Sequence, residues 1–121
     1  MRGDELERGT AMRRAVLGDA YVDRAEAAKS SLTEDFQDLL TRYAWGDVWA
    51  RPGLDRRTRS CITVAMLVAL GQDEELRLHL RGAVNNGVTV DELKEVLLHT
   101  AIYCDIPAAN TAFRVAAEVF I

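Results

Sequence analysis

His79 is the residue best suited to move a proton, because imidazole is the one side chain whose ordinary pKa lies near neutral pH. Glu75 stands one helical turn earlier, so in a helix the two share a face and the carboxylate can orient the ring and support its protonated form. The plainer alternative is an exposed pair that adds about a few tenths of a kcal/mol to helix stability. Arg56, Arg57 and Arg59 crowd the run DRRTRS, and Arg81 follows His79 by two residues. Forked guanidinium donors grip carboxylates, and Arg59 and Arg81, with Arg56 close behind, are the candidates for that role. Positive charge at a helix start opposes the helix dipole. The run therefore also reads as a solvated basic face neutralised by Asp55 or by acidic groups of a neighbouring helix.

Asn86, with Asn85, is a candidate polar contact, and equally the polar end of a helix before Gly87. His99, Tyr103 and Cys104 fall along one helix, where the Tyr103 hydroxyl can donate to an anionic oxygen or sit satisfied in a core. His99 among Leu97, Leu98 and Ala101 reads as a buried or interface histidine, and Cys104 as a small packing residue. None of the close His or Cys pairs of a structural zinc site occurs, and no glycine loop for phosphate or nucleotide is found. No metal or cofactor is expected.

These residues must be placed by helices. Asp4 to Leu17 suits a first helix with acidic residues at its start. A short helix and a Ser-rich joint follow, then a helix from about Thr33 to Trp45 with Phe36, Leu39, Leu40 and Tyr43 on one stripe and Gly46 as its stop. Pro52 and Gly53 break the chain, and Asp55 can cap the next helix, Arg56 to Leu70, which is apolar almost all round beyond its first turn and so belongs in a core or a subunit interface. Asp73 to Asn86 ends at Gly87. Thr89 and Glu92 spell a capping box opening Val90 to Cys104, and Pro107 starts a last helix. The expectation is one all-α domain of about seven helices over residues 1–121.

Composition narrows the partners. The chain has 121 residues, 49% of them hydrophobic, with only 2 prolines, which suits a compact fold rather than disorder. A net charge of -4 argues against binding nucleic acid, whose phosphates call for Lys and Arg. Two widely separated cysteines suggest reduced thiols, and no stretch reads as a signal peptide or a membrane span, so a cytoplasmic protein is expected.

The run Tyr43 to Asn110, YAWGDVWARPGLDRRTRSCITVAMLVALGQDEELRLHLRGAVNNGVTVDELKEVLLHTAIYCDIPAAN, closely resembles the carboxymuconolactone decarboxylases of aromatic catabolism. That group is a branch of a helical superfamily that also contains alkylhydroperoxidase-like thiol peroxidases. The peroxidase branch carries a Cys-x-x-Cys pair seven and four residues before the histidine, and an acidic residue on the preceding helix. Here those positions hold Gln72, Glu75 and Ser60, so dithiol chemistry has no attacking or resolving sulfur. The ends, ERGTAMRRAVLGDAYVDRA and YCDIPAANTAFRVA, also look like the dedicated decarboxylases.

The resemblance implies cofactor-independent loss of carbon dioxide from 4-carboxymuconolactone, giving the enol-lactone of 3-oxoadipate in the protocatechuate branch of the beta-ketoadipate pathway. The leaving carboxylate sits on a carbon conjugated to the lactone carbonyl, so its electron pair can spread onto oxygen as a dienolate. The protein must hold carboxylates, stabilise that charge and supply a proton to carbon. On this reading His79 assists proton delivery with Glu75 and Arg59, while Arg56, Arg81, Tyr103 and Asn86 bind substrate. It also implies subunits assembled in a ring, commonly a hexamer built from dimers. Two rivals stand beside it: a superfamily enzyme acting on a different lactone or keto acid, and a helical assembly protein without catalysis.

Overall fold

A computed structural model of the chain describes residues 2–121. Seven α-helices and no strand occur among the described residues: α1 (Arg2–Leu17), α2 (Asp19–Ala27), α3 (Glu34–Leu40), α4 (Arg56–Leu70), α5 (Asp73–Asn85), α6 (Val90–Tyr103) and α7 (Ile106–Phe120). A π-helical segment, Thr41–Trp49, continues α3 without a break. The chain divides into two compact units, one ending at Leu54 and the other spanning Asp55–Ile121.

In the first unit α1 packs along the π segment. The two backbones meet at glycines: a Cβ on Gly9 would lie 2.0 Å from the Thr41 carbonyl oxygen, and one on Gly46 would lie 2.2 Å from that of Glu5. Arg8 Nε donates to the Gly46 carbonyl at 3.5 Å. Gly46 is therefore not the helix stop its sequence suggested. It is the small residue that lets two helices touch, and the helical path runs past it to Trp49, where the Trp45 and Trp49 rings stack 5.0 Å apart. Val16, Val22 and Trp45 are buried, and with them Arg13, only 5% exposed, which donates from Nη2 to Gln37 Oε1 at 3.2 Å. The expected apolar stripe of α3 points elsewhere: Phe36, Leu39 and Tyr43 are exposed.

In the second unit α4 packs on α5 and α6, and α7 packs on the same two helices, which leaves α5 and α6 diagonal to one another. Leu76, Leu80, Leu93, Leu97, Val64, Val68, Ala112 and Val115 fill the core. Local chemistry sets the helix ends. The Asp55 carboxylate accepts from Thr58 N–H at 2.7 Å to cap α4, and that bond holds its pKa below the usual range. Gly71, at φ 68°, ends α4 in the left-handed region that glycine enters freely. Thr89 and Glu92 close a reciprocal capping box on α6. Asp105 caps α7, which begins at Ile106, one residue before Pro107. α4 is not enclosed all round: Val64 and Val68 are buried, whereas Ile62, Met66 and Leu70 stand exposed one turn apart. Leu98, Ile102 and Ile106 are exposed as well.

Candidate active site

Glu75, His79 and Asn86 fall at i, i+4 and i+11 along α5 and its cap, a spacing that puts them on one stripe at about 100° per residue. Gly82 lies between His79 and Asn86 on the same stripe. Leu76, Leu80 and Ala83 point into the core, so the stripe runs along the flank of the helix. His79 is half-buried and Glu75 exposed.

The stripe meets α4 at its end. Asn86 Nδ2 donates to Ser60 Oγ at 2.9 Å and approaches the Arg56 carbonyl oxygen at 3.5 Å. Ser60 is 1% exposed, and it continues the buried line of Val64 and Val68. Arg56, Arg59 and Thr63 follow one another at i, i+3 and i+7, forming the row beside Ser60. Thr63 Oγ1 donates to the Arg59 carbonyl at 2.8 Å, and the Arg59 side chain is half-buried. The structure thus brings together the Arg56 carbonyl, Ser60 and Asn86, with Arg59 on the adjoining row of α4 and His79 and Glu75 further back along the Asn86 stripe. Ser60 did not stand out as a functional residue in the sequence. Its signal was there, as the polar start of an otherwise apolar row.

Burial shifts His79. With the imidazole drawn out of water its charged form is disfavoured, and its pKa falls from 6.5 to about 4. His79 reads in the sequence as a group poised near neutrality; its burial instead favours the neutral ring at pH 7. A neutral imidazole is a hydrogen-bond donor and acceptor, not a reservoir of protons.

The other candidates lie apart. Arg81 is two residues past His79, about 200° round the helix, and is exposed. Tyr103, on α6, is 78% exposed and stacks on His99 with ring centroids 4.8 Å apart. His99, read as a buried or interface histidine, and Cys104, read as a packing residue, are both exposed in the single chain. Arg57 takes the structural role open to the basic run. It pairs with Glu92, whose carboxylate also accepts from Thr89 N–H, and these bonds, the Arg57 one first, lower the Glu92 pKa to about 2. Cys61 is half-buried, and burial raises its pKa, away from reactive thiolate. No group of three or more His, Cys, Asp or Glu that could hold a metal ion occurs among the described residues. Nor is any helix among them long and apolar enough to cross a membrane.

A profile of the carboxymuconolactone decarboxylase family matches residues 34–118. The chain belongs to that family. As a member it is classed with the carboxy-lyases. It is 50% identical to a 4-carboxymuconolactone decarboxylase of Acinetobacter baylyi over 114 residues, which is 94% of this chain and 85% of the relative. It is also 44% identical to a nitrosuccinic acid decarboxylase of Metarhizium robertsii over 117 residues, 93% of this chain and 82% of that one. A shorter match, 47% identical over 47 residues, links 36% of the chain to 98% of a 4-carboxymuconolactone decarboxylase sequence of Pseudomonas putida. The family match takes in all of α4 and α5, so the stripe built around His79 lies wholly within it.

Proposed function

We propose that this chain decarboxylates 4-carboxymuconolactone to 3-oxoadipate enol-lactone, in the protocatechuate branch of the beta-ketoadipate pathway. The observation that carries the reading is the meeting of the His79 stripe of α5 with the arginine end of α4 through the Asn86–Ser60 hydrogen bond. Family membership and the Acinetobacter relative supply the chemistry. Arg56 and Arg59 hold the substrate carboxylates, one of which stays while the other leaves as carbon dioxide. The pair of electrons left behind spreads onto the lactone carbonyl oxygen. His79, neutral, donates a hydrogen bond to that oxygen and stabilises its developing charge, as a neutral imidazole can where an imidazolium would be too costly to bury. Glu75 orients the ring. No pyridoxal, thiamin or metal is chemically required, because the conjugated lactone is itself the electron sink.

Arg81 and Tyr103 belong to the proposal through self-association. Both are exposed, as are Ile62, Met66, Leu70, Leu98 and Ile102, and these apolar side chains favour burial against further copies. In a homo-oligomer, a hexamer arranged as a trimer of dimers, Arg81 and Tyr103 reach the substrate of a neighbouring subunit. The whole chain, residues 1–121, acts as one catalytic domain in the cytoplasm, without nucleic-acid or membrane partners.

The Metarhizium relative favours a second substrate reading. A nitro-substituted dicarboxylate also loses carbon dioxide beside an electron sink, its charge passing to nitro oxygens, and the same arginines and imidazole would serve it. One assay separates the readings. Purified protein is given freshly generated 4-carboxymuconolactone or nitrosuccinate without added cofactor, and absorbance and carbon dioxide are followed beside the His79→Ala variant. Turnover of the lactone with a loss of about 100-fold or more in the variant supports the first reading. Turnover of nitrosuccinate alone supports the second, and turnover of neither overturns both.

A further inference from the structure

Asn86 is held by its nitrogen and left open at its oxygen. Its Nδ2 donates to Ser60 Oγ at 2.9 Å and lies 3.5 Å from the Arg56 carbonyl oxygen. Turning the amide over would bring two carbonyl oxygens together, so the nitrogen belongs where it is. The Asn86 Oδ1 atom is buried and accepts no hydrogen bond from the protein. Buried acceptors are seldom left without a donor, so a fixed acceptor here calls for a donor from outside the chain.

The proposed substrate cannot be that donor. At neutral pH the lactone carries two carboxylates, a ring oxygen and a carbonyl, all of them acceptors. Its neighbours at the site are His79, two helical turns or about 10 Å back along the stripe, and the arginine row of α4. Water is the small donor that fits between a bare acceptor and an anionic substrate, and a polar buried site of this kind is where ordered water is held.

We propose that Asn86, fixed by Ser60 and the Arg56 carbonyl, is a positioning residue that holds a water molecule through Oδ1, and that this water delivers the proton to carbon. The inference rests on the decarboxylase reading above. The bond to the leaving carboxylate breaks, carbon dioxide departs, and the electron pair stays on the dienolate. The O–H bond of the water then breaks as the new C–H bond forms beside the lactone carbonyl. The hydroxide that remains takes a proton from solvent, so the turnover consumes one proton overall. His79 meanwhile stays neutral on the lactone oxygen, which agrees with its burial.

By microscopic reversibility the same water must exchange that carbon-bound hydrogen of the product. The test is therefore hydrogen–deuterium exchange into the enol-lactone in heavy water, measured above the uncatalysed rate, beside kcat and KM for the lactone. Asn86→Ala is expected to lower kcat and the exchange rate together by about 100-fold with KM unchanged, the scale of a lost proton-transfer element. Ser60→Ala removes the hydroxyl that orients the amide and leaves Asn86 itself in place, so it is expected to lower both rates together by a smaller factor, about tenfold, and it keeps the test alive if the Asn86 variant misfolds. A folded Asn86→Ala protein with wild-type kcat and exchange overturns the proposal while leaving the decarboxylase reading intact. So does a folded Ser60→Ala protein that keeps wild-type kcat and wild-type exchange. Failure of the wild type to turn over the lactone would remove the reading beneath it instead.

Discussion

In the unit that ends at Leu54, α1 and the π segment meet backbone to backbone at Gly9 and Gly46, beside a buried arginine. In Asp55–Ile121 the helices are instead held apart by leucine and valine side chains that fill the space between them. One region depends on atoms being absent and the other on atoms being present. The difference shows where each is vulnerable, and why the candidate site stands where it does. A leucine core fixes α4 and α5 firmly enough to hold Asn86 on Ser60, whereas a glycine contact leaves no side chains at its centre to do chemistry.

Leu80→Ala has the largest expected effect, since Leu80 is fully buried in the core of the second unit. It is expected to lower unfolding free energy by about 2–5 kcal/mol in urea denaturation, through lost burial and the cavity left behind. The next effect is one of pH. His79 has its folded pKa lowered to about 4, so as pH falls below 6.5 the unfolded chain takes up a proton that the folded one refuses. Stability is then full above pH 6.5 and declines on the way to about pH 4, by about 3 kcal/mol for this group. His79→Leu is expected to flatten that slope, which denaturation curves across the window will show.

Gly9→Ala probes the first unit. In an ordinary helix the change stabilises by about 1 kcal/mol, but here the new Cβ would stand 2.0 Å from a backbone oxygen, and a net loss of about 1–3 kcal/mol is expected. A gain in thermal midpoint would show that the two backbones are not in contact. The smallest change is expected for Arg57→Ala, which removes an exposed pair with Glu92. Its loss should shrink further with added salt, and because the Glu92 pKa lies at about 2, it should persist down to mildly acidic pH.

The second unit was the more legible of the two in the sequence, because its signals are local. Asp55, Gly71, Thr89 with Glu92, and Pro107 act on backbone groups within a turn of themselves, and the ends of α4 to α7 fall within a residue or so of where they point. Gly46 misled because its role is set by Glu5, far away in the chain. Phe36, Leu39 and Tyr43 misled because periodicity shows that a stripe exists and not whether anything covers it. The pairing of His79 with Glu75 on one face followed from spacing alone. Ser60 did not, since its importance comes from Asn86, and neither did the neutral state of His79, which depends on burial that a linear pattern does not express.

The most direct test of the account is the rate of carbon dioxide release from 4-carboxymuconolactone by the purified protein, followed from about pH 4 to about pH 8. A neutral His79 at the reacting oxygen predicts full activity at neutral and mildly alkaline pH, falling only as the medium becomes acid enough to protonate the ring. A rate that declines as pH rises through about 7 would make His79 an acid after all, and would contradict the account.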